Sequence, residues 1–215
     1  MSHHTESIAN GTFNEKHSLT IRVWHWLTFI TMTASLVMVL LASTMLRTRD
    51  NISLVQEQLE HKGATVTADQ ARSVAHEYSD KLWMAHKWIG YGLCFLLLSR
   101  VIIEVAQPSD EKFRTRIKKA LGATSDSDRT HYLSVKRGYL VFYLLFLIMA
   151  LTGLGLAFED VPWLDSVHRP IKNIHEFVQY LIYAYIVVHL VGVVHADTGK
   201  YQGLISGMIH GRARQ

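Results

Sequence analysis

The 215-residue chain has a single cysteine and only three prolines. One cysteine, Cys94, excludes an internal disulfide, a cysteine-rich zinc site and an iron–sulfur cluster. The sequence also has no Cys-x-x-Cys-His segment, which excludes a haem attached through thioether bonds. Any metal or redox chemistry must therefore use histidine, of which the chain has 13.

Charged residues are absent from three long stretches of the sequence. Val23–Leu46, Gly138–Phe158 and Phe177–Ala196 contain no Asp, Glu, Lys or Arg over 24, 21 and 20 residues. About 20 apolar residues cross the hydrocarbon core of a bilayer as a helix. A fourth apolar run, Leu82–Gln107, carries its charges towards its ends, where long side chains reach the interface.

These runs predict an all-α membrane protein, a bundle of four transmembrane helices that forms one domain over residues 1–215. The predicted spans cover about residues 20–46, 82–106, 136–158 and 171–196. The first run is too long for the apolar region of a signal peptide and has no small-residue cleavage pattern behind it, so we expect it to remain. The connection over residues 47–81 is the longest, and no function is readable from it.

Lysine and arginine concentrate in one connection. Eight of them lie between Pro108 and Arg137, whereas the connection between the third and fourth spans holds only Arg169 and Lys172. Because cytoplasmic loops carry the excess of positive charge, we expect this basic loop and both termini in the cytoplasm, with the chain in the bacterial inner membrane. Binding of anionic lipid or a partner is the alternative role of the loop. The basic residues are not interleaved with exposed aromatics, so the expected surroundings are membrane lipid and not nucleic acid.

Four of the histidines inside the predicted spans stand out, because ionisable residues are rare there and mark function. His25 is near the cytoplasmic start of the first span, and His86 is near the outer start of the second. The fourth span carries His175 at its outer start and His189 fourteen residues later, roughly 21 Å deeper and on nearly the same helix face. The sequence therefore predicts an inner pair, His25 with His189, and an outer pair, His86 with His175.

Imidazoles that face each other from different helices at one depth are typical ligands of a haem iron bound from both sides. Such an iron has no open position, so it transfers electrons and binds no substrate. We therefore expect two haem b groups, one at each pair, that together form a path for electrons across the membrane. Taken singly, each histidine also fits an interfacial residue near tryptophan, and the joint spacing is what favours ligation.

Other polar residues near the predicted inner side have candidate roles. Arg22 and Arg100 would bind the cofactor, because haem propionates are anionic and need donors where water is scarce. Both also fit simple snorkelling at the cytoplasmic ends of their helices. A quinone site needs a polar group that delivers protons, and His195, Asp197 and Lys200 are candidates by position, with interfacial solvation as the other interpretation. No catalytic residue is predicted.

Several short segments resemble a known family. They are Ile21-Arg-Val-Trp-His-Trp-Leu-Thr, His86 with Gly90 and Arg100 following, Leu151-Thr-Gly, His175-Glu176, and the tail from Asp197 to Gly211. From about Leu19 to Arg212, the chain resembles the b-type cytochrome subunit of membrane-bound nickel-iron hydrogenases, within the superfamily of bacterial di-haem cytochromes b that includes cytochrome b561. The resemblance implies a periplasmic, hydrogenase-like oxidoreductase as partner. Electrons would pass from it to the outer haem, the inner haem and then quinone in a respiratory chain.

Two other functions fit the sequence. A free-standing cytochrome b561-like enzyme would oxidise superoxide outside and reduce quinone, and Lys81, Lys87, Arg169 and Lys172 would give it the positive outer pocket that it needs. A haem-free bundle would use the histidines to bind Zn²⁺ or to line a pore. That third function lacks support, because the sequence places no carboxylate at mid-membrane.

Overall fold

The computed structural model of the protein describes residues 18–107, 115, 126–158, 161–199 and 202–211. Within these ranges the chain is helical and contains no β-strand. Most of the predicted basic loop lies outside the described residues. The helices are α1 (Leu19–Ser43), α2 (Thr48–His61), α3 (Ala68–Ala106), α4 (Asp126–Ala157), α5 (Pro162–Asp165), α6 (His168–Thr198) and α7 (Leu204–His210).

Four of these helices, α1, α3, α4 and α6, are long and apolar enough to cross a membrane. The predicted fold class, an all-helical protein with four candidate spans, is thereby confirmed. The longest helices, α3 and α6, contain 39 and 31 residues. At a rise of 1.5 Å per residue they are about 58 Å and about 46 Å long, more than the roughly 30 Å of a hydrocarbon core. Both helices therefore extend beyond the apolar layer.

Helix α3 begins well before its apolar run because its first turn is capped. The Thr67 hydroxyl accepts a hydrogen bond from the backbone N–H of Gln70 at 3.3 Å, and the Gln70 side chain accepts one from the backbone N–H of Thr67 at 2.9 Å. This reciprocal arrangement is a capping box, which satisfies backbone donors that a helix start leaves unpaired. The polar segment from Ala68 therefore continues without a break into the predicted second span.

The chain divides into two compact units, Leu27–Phe95 and the flanking segments Met1–Trp26 and Leu96–Gln215. In the first unit, Ala71 and Ala75 near the start of α3 are buried. Alanine lets a neighbouring backbone approach closely because it has little side chain to accommodate. This part of α3 is therefore packed although its sequence is polar.

In the second unit, α4 packs against α6. Phe146 of α4 and Ile182 of α6 are buried, whereas Leu144, Leu151 and Val188 on the other faces are exposed. Large exposed apolar faces of this extent are unstable in water and are solvated by lipid tails in a bilayer. Only a narrow strip of each helix is therefore used for helix packing.

The short helix α7 is held by two side chains of α1. Nη1 of Arg22 donates a hydrogen bond to the carbonyl of Ile209 at 3.1 Å, and Nε1 of Trp26 donates one to the carbonyl of Met208 at 3.3 Å. Both carbonyls belong to the last turn of α7, where the helix itself supplies no donor. An isolated helix of seven residues is not stable in water, so these contacts keep α7 folded.

We expect the Gly211→Ala substitution to release α7 from α1. Gly211 has φ +74°, and a Cβ atom there would lie 2.7 Å from Cζ of Arg22. Left-handed backbone costs a non-glycine residue roughly 1–2 kcal/mol, and the overlap would also displace the guanidinium from Ile209. The free energy of unfolding in detergent should fall by about that amount. Gly207→Ala is the matched control, because nothing lies within 4 Å of a Cβ there; equal losses in both variants would contradict this account.

Candidate functional site

The predicted inner pair comes together in the structure. The ring centroids of His25 on α1 and His189 on α6 are 6.3 Å apart, and their planes are inclined at 58°. Metal–imidazole bonds are about 2 Å long. Two imidazoles on opposite sides of one metal therefore have their ligating nitrogens about 4 Å apart and their ring centres about 6 Å apart. Both side chains are half-buried. The spacing therefore fits two ligands of a single metal.

Aromatic side chains restrict the rings of the inner pair. Tyr185, one turn before His189 on α6, stacks on its ring with a centroid distance of 6.0 Å and an angle of 7°. Trp26 meets the His25 ring edge-on at 5.7 Å, and Phe142 of α4 packs against Tyr185 at 5.3 Å. Sequence analysis did not identify Tyr185, although its spacing of four residues from His189 places both on one helix face.

Each histidine of the predicted outer pair lies beside a hydroxyl group. Nδ1 of His86 is 3.1 Å from the Ser35 hydroxyl, within the Leu27–Phe95 unit. In the other unit, Nδ1 of His175 is 2.9 Å from the Thr152 hydroxyl. Both imidazoles are half-buried. Ligation of one haem by His86 and His175 together remains a prediction from the sequence.

A glycine lets the His175 ring approach α4. A Cβ atom on Gly153 would lie 3.3 Å from Cε1 of His175, which is closer than ordinary van der Waals contact. Any larger residue at this position would push against the ring. Gly153 and the neighbouring Thr152 therefore define where the His175 imidazole lies.

The Arg100 side chain is largely covered by its neighbours. Its side chain is 17% exposed, Nη2 is 3.1 Å from a carboxylate oxygen of Glu104, and Nε donates to the Tyr143 hydroxyl at 3.0 Å. The guanidinium also lies 5.9 Å from the ring centre of Trp24. Nη1 is buried and has no hydrogen-bond partner among the described residues. The guanidinium thus retains an unpaired donor atom, Nη1, for an anionic group, as a propionate contact requires.

Arg22 has a similar spare donor. While its Nη1 holds the carbonyl of Ile209, its Nε is buried without a partner within the described part of the chain. The residue thus has a structural role at α7 that the sequence did not predict. The spare N–H still fits the predicted role in cofactor binding, because an unpaired buried donor is costly until an acceptor is present.

The candidate quinone residues have different surroundings. His195 is an exposed residue near the end of α6. A carboxylate oxygen of Asp197 accepts a hydrogen bond from the backbone N–H of Ile205 at 3.1 Å, so Asp197 caps the start of α7. Lys200 lies outside the described residues. Unlike Asp197, His195 has no capping role among the described residues.

Metal-binding side chains meet in pairs at most. In the described ranges, no group of three or more His, Cys, Asp and Glu residues is arranged to hold a metal ion. A pair of imidazoles is insufficient for a closed zinc site, which needs four ligands, but it is the complete protein ligand set of a six-coordinate haem. The donor set therefore fits haem.

Four apolar helices and a facing histidine pair define the class of integral membrane proteins that transfer electrons through b-type haem. The chain matches the family described as prokaryotic cytochrome b561 over residues 16–211. It therefore belongs to this family and is a membrane b-type cytochrome that binds haem b. No curated protein and no solved structure matches the chain.

Proposed function

We propose that the chain is a di-haem cytochrome b that carries electrons across the membrane from a periplasmic oxidoreductase to quinone. The proposed donor is an enzyme of the nickel-iron hydrogenase type. His25 and His189 ligate the inner haem, and His86 and His175 ligate the outer haem. The observation that carries the proposal is the 6.3 Å separation of the His25 and His189 rings inside two apolar helices.

The residues of the chain bind and orient the cofactor. Bound haem b supplies a one-electron redox centre. Two imidazoles would hold each iron, which would leave no position for substrate and would restrict the chemistry to electron transfer. Arg22 and Arg100 each keep a buried N–H that would neutralise propionate charge. The apolar helices exclude water, which strengthens these charged hydrogen bonds.

The different depths of the two histidines on α6 make electron transfer across the membrane feasible. His175 and His189 are fourteen residues apart on α6, an axial distance of about 21 Å. A bilayer core is about 30 Å thick, so centres at these two depths cover most of it. Neither centre alone would reach both surfaces.

Quinone reduction needs protons as well as electrons, and these must come from the side that the inner pair faces. His195 is six residues beyond His189 on the same helix and is exposed. An imidazole is the side chain that most often transfers protons to a reacting group. We therefore place quinone between His189 and the end of α6, with His195 as the proton donor.

The polar connection between α1 and α3 supports docking of a partner. Helix α2 has no buried residue, and the start of α3, from Ala68 to Lys81, precedes the apolar run on the predicted periplasmic side. This surface holds acidic and basic residues in similar number, which is typical of a polar interface rim. It is the proposed docking region for the electron donor.

The proposal is tested in membranes that contain the chain with its native partners. Hydrogen gas should reduce b-type haem, seen as narrow absorbance bands of the ferrous form, and a short-chain quinone should reoxidise it. In membranes that carry the His189→Ala variant, hydrogen should still reduce the outer haem, while reoxidation by quinone should slow by at least about tenfold because the inner centre is missing. A normal reoxidation rate in that variant would contradict the proposed path.

Quinone reduction by purified protein, measured with superoxide as the donor, separates the superoxide enzyme from the electron-transfer subunit. The structure weakens the positive outer pocket, since Lys81 pairs with Glu77 at 2.9 Å and Lys172 lies 3.9 Å from Glu176. Purified protein should therefore show no superoxide-dependent quinone reduction. Turnover of superoxide without a partner, together with no response to hydrogen in native membranes, would replace the proposal.

A further inference from the structure

The Thr152 hydroxyl has more neighbours than an ordinary threonine in a helix. Its Oγ1 lies 2.7 Å from the carbonyl oxygen of Ile148, 3.2 Å from that of Met149 and 2.9 Å from Nδ1 of His175. Hydrogen bonds to carbonyls one turn earlier are common for threonine in helices. The contact with His175 is the unusual one, because it joins α4 to the imidazole of a predicted haem ligand.

Counting protons settles which group donates. A hydroxyl has one proton and two lone pairs, and a carbonyl oxygen only accepts. The proton of Thr152 must therefore point to the backbone of its own helix, shared between Ile148 and Met149. Towards His175 the same oxygen can only accept. In a neutral His175 ring, Nδ1 then carries the proton, and Nε2 is the nitrogen with the lone pair.

The position of the ring is fixed as well as its tautomer. A Cβ atom added to Gly153, next to Thr152, would lie 3.3 Å from Cε1 of His175. Thr152 thus holds one nitrogen while Gly153 limits the approach of the adjacent carbon. These two contacts restrict how the imidazole of His175, on α6, faces α4: Nδ1 is turned towards Thr152, and Nε2 is the other ring nitrogen.

A hydroxyl also faces the second ligand of the predicted outer pair, whereas His189 has a different neighbour. In the Leu27–Phe95 unit, Ser35 is 7% exposed and its hydroxyl lies 3.1 Å from Nδ1 of His86. Within the described residues, His189 has no hydrogen-bonded side chain and is stacked on Tyr185. A stacked ring restrains orientation but does not accept the Nδ1 proton.

We propose that Thr152 is a positioning residue that fixes His175 for iron through Nε2 and lowers the redox potential of the outer haem. This inference rests on the proposed function. An acceptor at Nδ1 makes an imidazole a stronger electron donor to its metal and so favours the oxidised iron. With the outer haem at the lower potential, electrons that enter from outside move downhill to the inner haem.

The test compares redox titrations of the purified holoprotein and its Thr152→Val variant. Valine keeps the shape and removes the acceptor, so the ferric-to-ferrous equilibrium of one haem should shift about tenfold towards ferrous, which is ~59 mV for a one-electron couple. The other haem should be unchanged. Thr152→Ser restores the hydroxyl and should return the potential to that of the parent.

Thr198→Val is the matched control. Its hydroxyl makes the same two contacts with its own helix, 2.9 Å to the carbonyl of Val194 and 3.3 Å to that of His195, but approaches no ring nitrogen. Loss of the hydrogen bond from a threonine hydroxyl to its own helix should therefore leave both redox potentials unchanged. Equal shifts in Thr152→Val and Thr198→Val would overturn the inference, and so would two unshifted potentials in Thr152→Val.

Further outcomes separate this inference from the proposed function. If Thr152→Val does not fold, Thr152→Ala is titrated instead, and an unshifted pair of potentials in that variant overturns the inference. If the parent protein binds two haems and Thr152→Val shifts neither, only the role of Thr152 is lost. If the parent protein binds fewer than two haems, the proposed function fails first, and the inference fails with it.

Discussion

Purified His189→Ala protein is expected to hold about half as much haem b per chain as the parent protein. Removing the imidazole leaves His25 as the sole ligand of the inner iron, and a haem held from one side in an apolar site is lost during purification. The measurement is the ratio of ferrous haem absorbance to protein. The parent protein should hold two haems per chain.

His195→Ala is the control for this experiment. His195 lies six residues further along α6 and its side chain is exposed, so its removal should leave haem content unchanged. If the two variants retain equal amounts of haem, His189 is not a ligand. If His189→Ala retains no haem at all, the two proposed sites are not independent.

The Gly153→Leu variant is expected to lose the other half of the haem. A Cβ at residue 153 would already lie 3.3 Å from Cε1 of His175, and the outer atoms of leucine would occupy the space of the ring. Overpacking of this kind costs about 1–3 kcal/mol, and here the ring has to leave its position beside Thr152 to relieve it. The remaining haem should show the redox potential of the inner site.

Gly138→Leu provides the comparison on the same helix. No atom lies within 4 Å of a Cβ at residue 138, so leucine there has room. Unchanged haem content is therefore expected for Gly138→Leu. Full retention of both haems in Gly153→Leu would mean that the His175 ring does not need its present position.

The four candidate spans were predictable because they depend on the length and composition of the apolar runs. Long uncharged runs must cross a bilayer, and α1, α3, α4 and α6 are the helices that contain them. Hydropathy does not locate the ends of the helices. The early start of α3 depends on the Thr67–Gln70 capping box, a local signal outside the apolar run.

The inner histidine pair was also predictable, since depth follows from position in a span. Its surroundings were not. Arg22 contacts Ile209, 187 residues later in the sequence, and only the fold brings the two together. Thr152 lies in a predicted span where a threonine most often bonds to its own helix. Its contact with His175 depends on how α4 and α6 face each other, which no spacing along the chain reveals.

The attachment of α7 has a practical consequence for work on this protein. Arg22 and Trp26, which hold the last turn of α7, lie on either side of His25 in a single turn of α1. Shortening the chain before Leu204 would leave both donors without their acceptors and loosen the turn that presents the imidazole. Affinity tags fused close to Gly211 would pull on the same turn. Spacers after the tail, or tags placed elsewhere, keep the inner ligand undisturbed.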